Sequence, residues 1–255
     1  MAEALLDVRG LRKSFGGVVA TDDLDLAVKQ GEIFAVIGPN GAGKTTLIAQ
    51  LAGSLRSDSG RILFDGSDVT RLAPPARAVL GLARTFQITS IFPEFTALEN
   101  VALAVQAHDG HSFRFWKDAR SESRLRDPAL AALDRVGLAD RAPVTARYLS
   151  HGEHRQLEIA MALVTEPRML LLDEPMAGMG AEESQRMVEI MLSLKGTQTI
   201  LLIEHDMDAV FALADRVTVL VYGKVIATGA PDDIRNDPAV REAYLGGDDS
   251  DEGAA

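Results

Sequence analysis

The chain has 255 residues, enough for one large α/β domain or two small ones. Hydrophobic residues make up 47% and charged residues 25%, the balance of an ordinary folded protein, and the net charge of −11 argues against general nucleic-acid binding, which needs basic stripes to neutralise phosphates. There is no cysteine, so disulfides are excluded and a reducing compartment fits. No apolar run approaches the roughly 18 residues of a membrane span. The first ten residues carry an acid at Glu3 and no basic region of the secretory kind.

Leu24–Val28 and Ile33–Ile37 are the first apolar runs that read as strands. Gly38-Pro39-Asn40-Gly41-Ala42-Gly43-Lys44-Thr45 follows directly and fits G-x-x-x-x-G-K-[ST]. Glycines let the backbone turn tightly, so that its N–H groups converge on phosphate oxygens. An apolar-periodic helix from Lys44 to Ala52, which includes Thr46, points its positive dipole end at the same anion. In such a loop Lys44 reaches the β- and γ-phosphates and the Thr45 hydroxyl ligates Mg²⁺. A chance glycine turn would lack both the strand before and the helix after.

From about 88 to 148 the pattern is helical, without convincing strands. Thr96–Glu99 has the form of a capping box. Asp127-Pro128 predicts a helix start and Gly137 a stop. Ile88, Ile91, Phe92, Pro93 and Phe95 are too apolar for a free loop and divide evenly between core packing and a partner site. Phe113–Arg126 mixes aromatics and basic residues with Asp118 and Glu122, and reads as an amphipathic surface. Leu149-Ser150-His151-Gly152-Glu153 then opens a helix through Leu157, Ala160, Met161 and Val164. Ser150 and Glu153 can be a capping box alone. A helix start with a serine hydroxyl and a small Gly152 is also a second anion site, and the two readings are compatible.

Met169–Leu172 is a continuous apolar strand ending in Asp173-Glu174-Pro175. Both acids emerge at the carboxyl edge, where open α/β sheets bind ligands. Asp173 is placed to hold Mg²⁺ through water, and Glu174 to polarise the attacking water. A helix with Met187, Ile190, Met191 and Leu194, the strand Thr199–Ile203, a helix from Met207 and the strand Val217–Val221 complete the alternation of a wound α/β sheet. Asp248–Glu252 make an acidic, solvated tail. No repeat of roughly 20–50 residues is visible, so the chain carries one cassette.

The order of phosphate loop, Gln87, L-S-x-G-x motif, D-E-P and His205 resembles the ABC transporter ATPase family over residues 5–246. Gly81–Gln87, Leu157–Ala160, Pro175–Met179 and Glu242–Gly246 look like its branched-chain amino-acid uptake subfamily. The resemblance implies a P-loop ABC ATPase fold: a RecA-like α/β lobe (5–87 and 160–246), an antiparallel β portion at the N-terminal side, and an inserted helical lobe (88–159), with 247–255 as tail. It implies that Phe15 stacks on adenine, that Gln87 contacts Mg²⁺ and the attacking water, and that His205 meets the γ-phosphate. Ser150, His151, Gly152 and Glu153 would contact the ATP of a second ATPase subunit, a copy or a related chain. The other implied partners are membrane permease subunits and, indirectly, a substrate-binding protein; the implied location is the cytoplasmic face of the cell membrane. Two positions depart from the family pattern. Glu153 brings an acid near an incoming triphosphate, and Gly180 stands where many relatives have Asp. The expected function is therefore ATP hydrolysis driving import of hydrophobic amino acids. The rivals are a lipid or polysaccharide exporter, a soluble ABC ATPase of DNA repair or translation, and a subunit that binds nucleotide without hydrolysing it.

Overall fold

The computed structural model describes residues 4–84, 91–108 and 123–245. Two sheets organise it. In the first, β1 (Ala4–Phe15) pairs antiparallel with β2 (Val18–Lys29) and β4 (Ser59–Phe64), and the short β5 (Ser67–Asp68) closes the edge. In the second, β3 (Ile33–Ile37), β6 (Leu82–Arg84), β7 (Met169–Asp173), β8 (Thr199–Ile203) and β9 (Arg216–Val221) run parallel in the order β9-β3-β8-β7-β6. β10 (Lys224–Gly229) is antiparallel on the outer side of β9.

The unbroken apolar runs have a plain cause. Successive strand residues point to opposite faces, and both faces are covered. On β7, Met169 and Leu171 pack with α1 (Lys44–Ala52) and the antiparallel sheet, whereas Leu170 and Leu172 pack with helices on the other side. On β8, Leu201 and Ile203 face the first core, and Ile200 and Leu202 the second. Helix α1 is held by Leu47, Ile48 and Leu51, all fully buried beneath the antiparallel sheet.

Helices α3 (Ala97–His108), α4 (Ser123–Arg135) and α5 (His151–Leu163) lie between β6 and β7 in sequence. Their apolar faces form one continuous core with β7, β8 and α6 (Ala181–Leu194). Helices α2 (Pro74–Val79), α7 (Met207–Leu213), α8 (Pro231–Asn236) and α9 (Pro238–Leu245) complete the chain.

Several sequence expectations hold, and others change. Thr96 and Glu99 form the capping box in both directions, at 2.9 and 3.1 Å. Met187, Ile190, Met191 and Leu194 are the buried stripe of α6. Gly137 ends α4 in the left-handed region, with φ 71°. Asp127-Pro128 does not start a helix: α4 already runs through Ser123–Arg135, with Pro128 inside it. Leu125 is buried on the same stripe as Ala129, Ala132 and Leu133, and continuing that stripe outweighs the one backbone bond a proline removes. The expected strand Leu24–Val28 is only the end of β2, which with β1 forms a long hairpin; charged residues on the exposed face had masked its alternation. Gln87, Ile88, most of 113–126 and the acidic tail lie outside the described residues.

Phe92 and Phe95 stack at 5.4 Å, both partly exposed, while Ile91 packs against the core. The buried Asn100 side chain holds this turn. It accepts from the Phe92 N–H at 2.7 Å and donates to Phe92 O, Phe95 O and Thr96 O. Asn100→Ala should leave the Phe92 N–H unpaired, since the three carbonyls keep backbone donors, and cost about 1–3 kcal/mol of stability, read from the urea midpoint; an unchanged midpoint would show that the turn is held by other contacts.

Candidate functional site

The phosphate loop follows β3, whose five residues are all buried. It runs between the end of β9 and the tip of the β1–β2 hairpin. Gly38 and Gly43 have φ of 155° and 104°, and a Cβ on either would sit 2.1 Å from a backbone oxygen, of Leu220 and Ala20 respectively. Both positions are closed to any side chain, so the two glycines are steric requirements. Gly41, by contrast, has open space around it at φ 77°. Pro39 is half-buried, Asn40 exposed and Ala42 buried. The Lys44 ammonium donates across the loop to Gly38 O at 2.7 Å and Pro39 O at 3.1 Å. Burial pushes its pKa down, against the opposing pull of Glu174 and Asp173. Thr45 is exposed and Thr46 half-buried on the first turn of α1.

Asp173 ends β7 with its side chain 2% exposed. Burial raises its pKa, and the Arg84 guanidinium, 3.1 Å away, opposes the rise. Arg84 ends β6, the strand next to β7. Glu174 follows with φ 48°, a left-handed conformation that non-glycine residues seldom adopt. Its N–H is fixed to Ile203 O of β8 at 2.9 Å. His205 leaves β8 at the same edge with an exposed side chain. Between them lies Glu204, fully buried. It accepts from the N–H of Met176 at 2.9 Å and of His205 at 3.1 Å, and burial raises its pKa. Glu204 thus joins the loop after Glu174 to the loop carrying His205. Lys44, Asp173, Glu174 and His205 are brought to one edge of the sheet.

Phe15 closes β1 opposite Val18, before the Gly16-Gly17 turn. It is 49% exposed, with Lys13 Nζ 5.5 Å from the ring centre, so it is not a core residue.

Ser150 caps α5 as expected. Its hydroxyl accepts from the Glu153 N–H at 3.2 Å, and the Glu153 carboxylate accepts from the Ser150 N–H at 2.8 Å. The same hydroxyl donates to Glu183 on α6 at 2.9 Å. That bond, the Gly180 and Gly152 N–H groups and nearby His151 hold Glu183 below its usual pKa. A Cβ on Gly152 would meet the Glu183 carboxyl at 2.9 Å, so this glycine is set by α5–α6 packing. Glu153 is turned back toward the cap and ion-paired with Arg141 at 2.7 Å, which offsets its charge. His151 lies beside Gly178, and Gly180 caps α6 with open space where a side chain would sit. A pocket of about 150 Å³ here is lined by Ser150, Gly152, Glu153, Gln156, Glu183 and Arg186, together with Met187. No phosphate-loop residue borders it.

Among the described residues no three His, Asp or Glu side chains gather to hold a metal. The buried Asp173 carboxylate and the exposed Thr45 are donor types that suit Mg²⁺, which binds through one or two carboxylates and its nucleotide's phosphates. Arg84, Glu183, Glu204 and Arg141 were missed from the sequence. Only Glu204, an acid ending an apolar strand directly before His205, left a visible trace there.

The model of the ABC transporter family matches residues 21–177. The chain belongs to the ABC transporter ATPase family. It is an ATP-hydrolysing subunit of a transporter of that family. A second family model, the branched-chain amino acid ATP-binding cassette transporter, matches residues 224–250. The high-affinity branched-chain amino acid transport ATP-binding protein LivG of Escherichia coli K12 is 40% identical over 96% of this chain and 99% of its own. BraF of Pseudomonas aeruginosa, described in the same words, is 38% identical over the same shares. A solved ATP-binding cassette of an ABC transporter in its ADP conformation aligns at TM-score 0.84 and 32% identity, over 95% of this chain and 99% of that one.

Arg84→Gln tests the electrostatics around the Asp173 carboxylate. Without the guanidinium, the Asp173 pKa rises further above its usual value. The folded state then takes up the proton at higher pH than the unfolded chain, so the ionised carboxylate costs stability above that pKa. The cost disappears as pH falls through it. The variant should lose about 1–3 kcal/mol near pH 8, and the gap to the parent should close on acidification. A pH-independent difference in melting temperature would assign the loss to packing.

Proposed function

We propose that this chain binds ATP·Mg²⁺ and, paired with a second ATPase subunit, drives permeases that import branched-chain amino acids. The observation that carries the reading is the Lys44–Asp173–Glu174 cluster at one sheet edge, in a chain 40% identical to LivG over nearly its whole length. The segment matched by the branched-chain cassette model favours import of those amino acids over export.

The backbone N–H groups of 38–45 and the Lys44 ammonium cradle the β- and γ-phosphates. Phe15, exposed at its hairpin tip, offers a π-face to adenine. Thr45 and Asp173, with Gln87, hold Mg²⁺, which supplies charge neutralisation on the phosphate oxygens. Glu174, rigidly aimed by its bond to Ile203 O, polarises the attacking water, and His205 contacts the γ-phosphate. A groove of about 390 Å³ between α2, β6, α3 and α5 has an apolar lining of Pro74, Pro75, Ala78, Ala104 and Met161. It suits a segment of the permease, with this chain on the cytoplasmic face of the membrane and a substrate-binding protein beyond. No helix among the described residues is long and apolar enough to cross a membrane.

Glu174→Gln should reduce steady-state hydrolysis by ~10²–10⁴-fold, the usual contribution of a positioned base, while nucleotide binding persists and an ATP-bound dimer accumulates. Turnover near that of the parent in the reconstituted transporter would remove Glu174 as base.

No phosphate-loop residue lines the pocket at Ser150 and Gly152, which favours each ATP being closed over by those residues of the other subunit. Ser150→Arg in the Glu174→Gln background should then abolish the ATP-driven shift to dimer in size-exclusion chromatography. If dimer still forms, Ser150 is only a helix cap.

A further inference from the structure

The turn between β9 and β10 touches the phosphate loop, although it lies far along the chain. Tyr222 and Gly223 both have left-handed backbones, with φ 47° and 79°. They form a two-residue hairpin turn of the type whose twist matches the flanking strands. The Gly223 N–H donates to Ala42 O, inside the phosphate loop, at 2.9 Å. The Gly223 C=O accepts from the Asp22 N–H of β2 at 2.8 Å. One residue therefore bridges the loop and the strand beside it. Its fit is close: a Cβ on Gly223 would meet Ala20 O at 2.9 Å, Ala20 C at 3.0 Å and Thr21 Cα at 3.1 Å.

We propose that Gly223 is a positioning residue of the phosphate loop, setting the plane of the Ala42–Gly43 peptide. The inference rests on the reading of residues 38–45 as a phosphate cradle. A peptide group is planar and trans, so its C=O and N–H point in opposite directions. Fixing Ala42 O onto the Gly223 N–H turns the Gly43 N–H the other way. In a cradle built from backbone donors that orientation decides whether the group can meet a phosphate oxygen. The loop has little freedom to set it alone, because Gly38 is pressed against Leu220 of β9 and Gly43 against Ala20 of β2. The same hairpin supports both ends: Leu220 lies on its first strand and Gly223 at its tip. The β10 strand that follows leads directly into α8 and α9. The Tyr222 ring takes no part in this support and is 85% exposed.

Three variants and one measurement on the unaltered chain test the idea. Gly223→Ala strains the left-handed turn and pushes it off Ala20. Its affinity for metal-free ADP, titrated by calorimetry, should fall by about tenfold, the scale of one lost oriented hydrogen bond. Gly137→Ala imposes a similar backbone strain at φ 71° with nothing within 4 Å. It should lower the melting temperature and leave the ADP affinity unchanged. Tyr222→Asn keeps the turn type and Gly223 and should bind ADP as the parent does. Parent-like affinity in Gly223→Ala overturns the inference. So does an equal loss in Tyr222→Asn, which would place the effect in the ring. Should Gly223→Ala fail to fold, amide hydrogen exchange on the unaltered chain decides. ADP should slow exchange across 38–45 and at Gly223 together. Slowing at 38–45 without Gly223 refutes the positioning role, whereas no slowing at 38–45 refutes the cradle itself.

Discussion

Asp173 is a carboxylate held almost wholly out of water at the last residue of a strand whose other four residues are fully buried. Such a charge costs free energy unless cations face it. Arg84 on the neighbouring strand faces it directly, and Lys44 adds attraction from the phosphate loop. That requirement links three separate segments of chain, β6, β7 and the loop after β3. The parallel register sets Arg84 opposite Leu171, two residues before Asp173 on β7, and the arginine side chain spans that offset to reach the carboxylate at 3.1 Å. Glu174 inherits its place from the ladder between β7 and β8, because the next backbone N–H beyond Asp173 continues onto Ile203 O.

A second constraint is the absence of spare room around the phosphate loop. Gly38 and Gly43 approach backbone oxygens at distances no side chain could tolerate. Those oxygens belong to β9 and β2, one from each sheet. The loop is therefore shaped by how the two sheets pack as well as by its own eight residues. Its shape is fixed by backbone, which does not depend on rotamers and is well suited to hold N–H groups in place.

The helical segment serves the site differently. Its core is continuous with that of the main sheet through α5 and α6, so Ser150 is positioned by packing as well as by its cap. Glu183 occupies the serine hydroxyl and closes over Gly152. An anion approaching Ser150 must compete with that carboxylate, while Arg186 lines the same pocket. Glu153, which sequence placed as an acid against an incoming triphosphate, spends its charge on the cap and on Arg141.

The sequence by itself determined the parallel strands β3, β7, β8 and β9 but not β6, and it determined the phosphate loop, the two acids after β7 and the cap at Ser150. Each is written in adjacent residues: a run buried on both faces has no polar positions, and a loop or cap obeys local backbone rules. It also determined the family, through the order of those motifs. The family resemblance implied an antiparallel portion at the N-terminal side, but no residue pattern marked its strands β1, β4 and β5, which carry charges on their exposed faces, nor did any show that α4 runs through Pro128, where burial of Leu125 overrode a proline. Arg84, Glu183 and Gly223 had no pattern of their own to read, and Glu204 only its place at the end of an apolar strand. Their partners lie on other strands or helices, and only the tertiary structure decided that a charge, a carboxyl or a backbone N–H would meet its complement there.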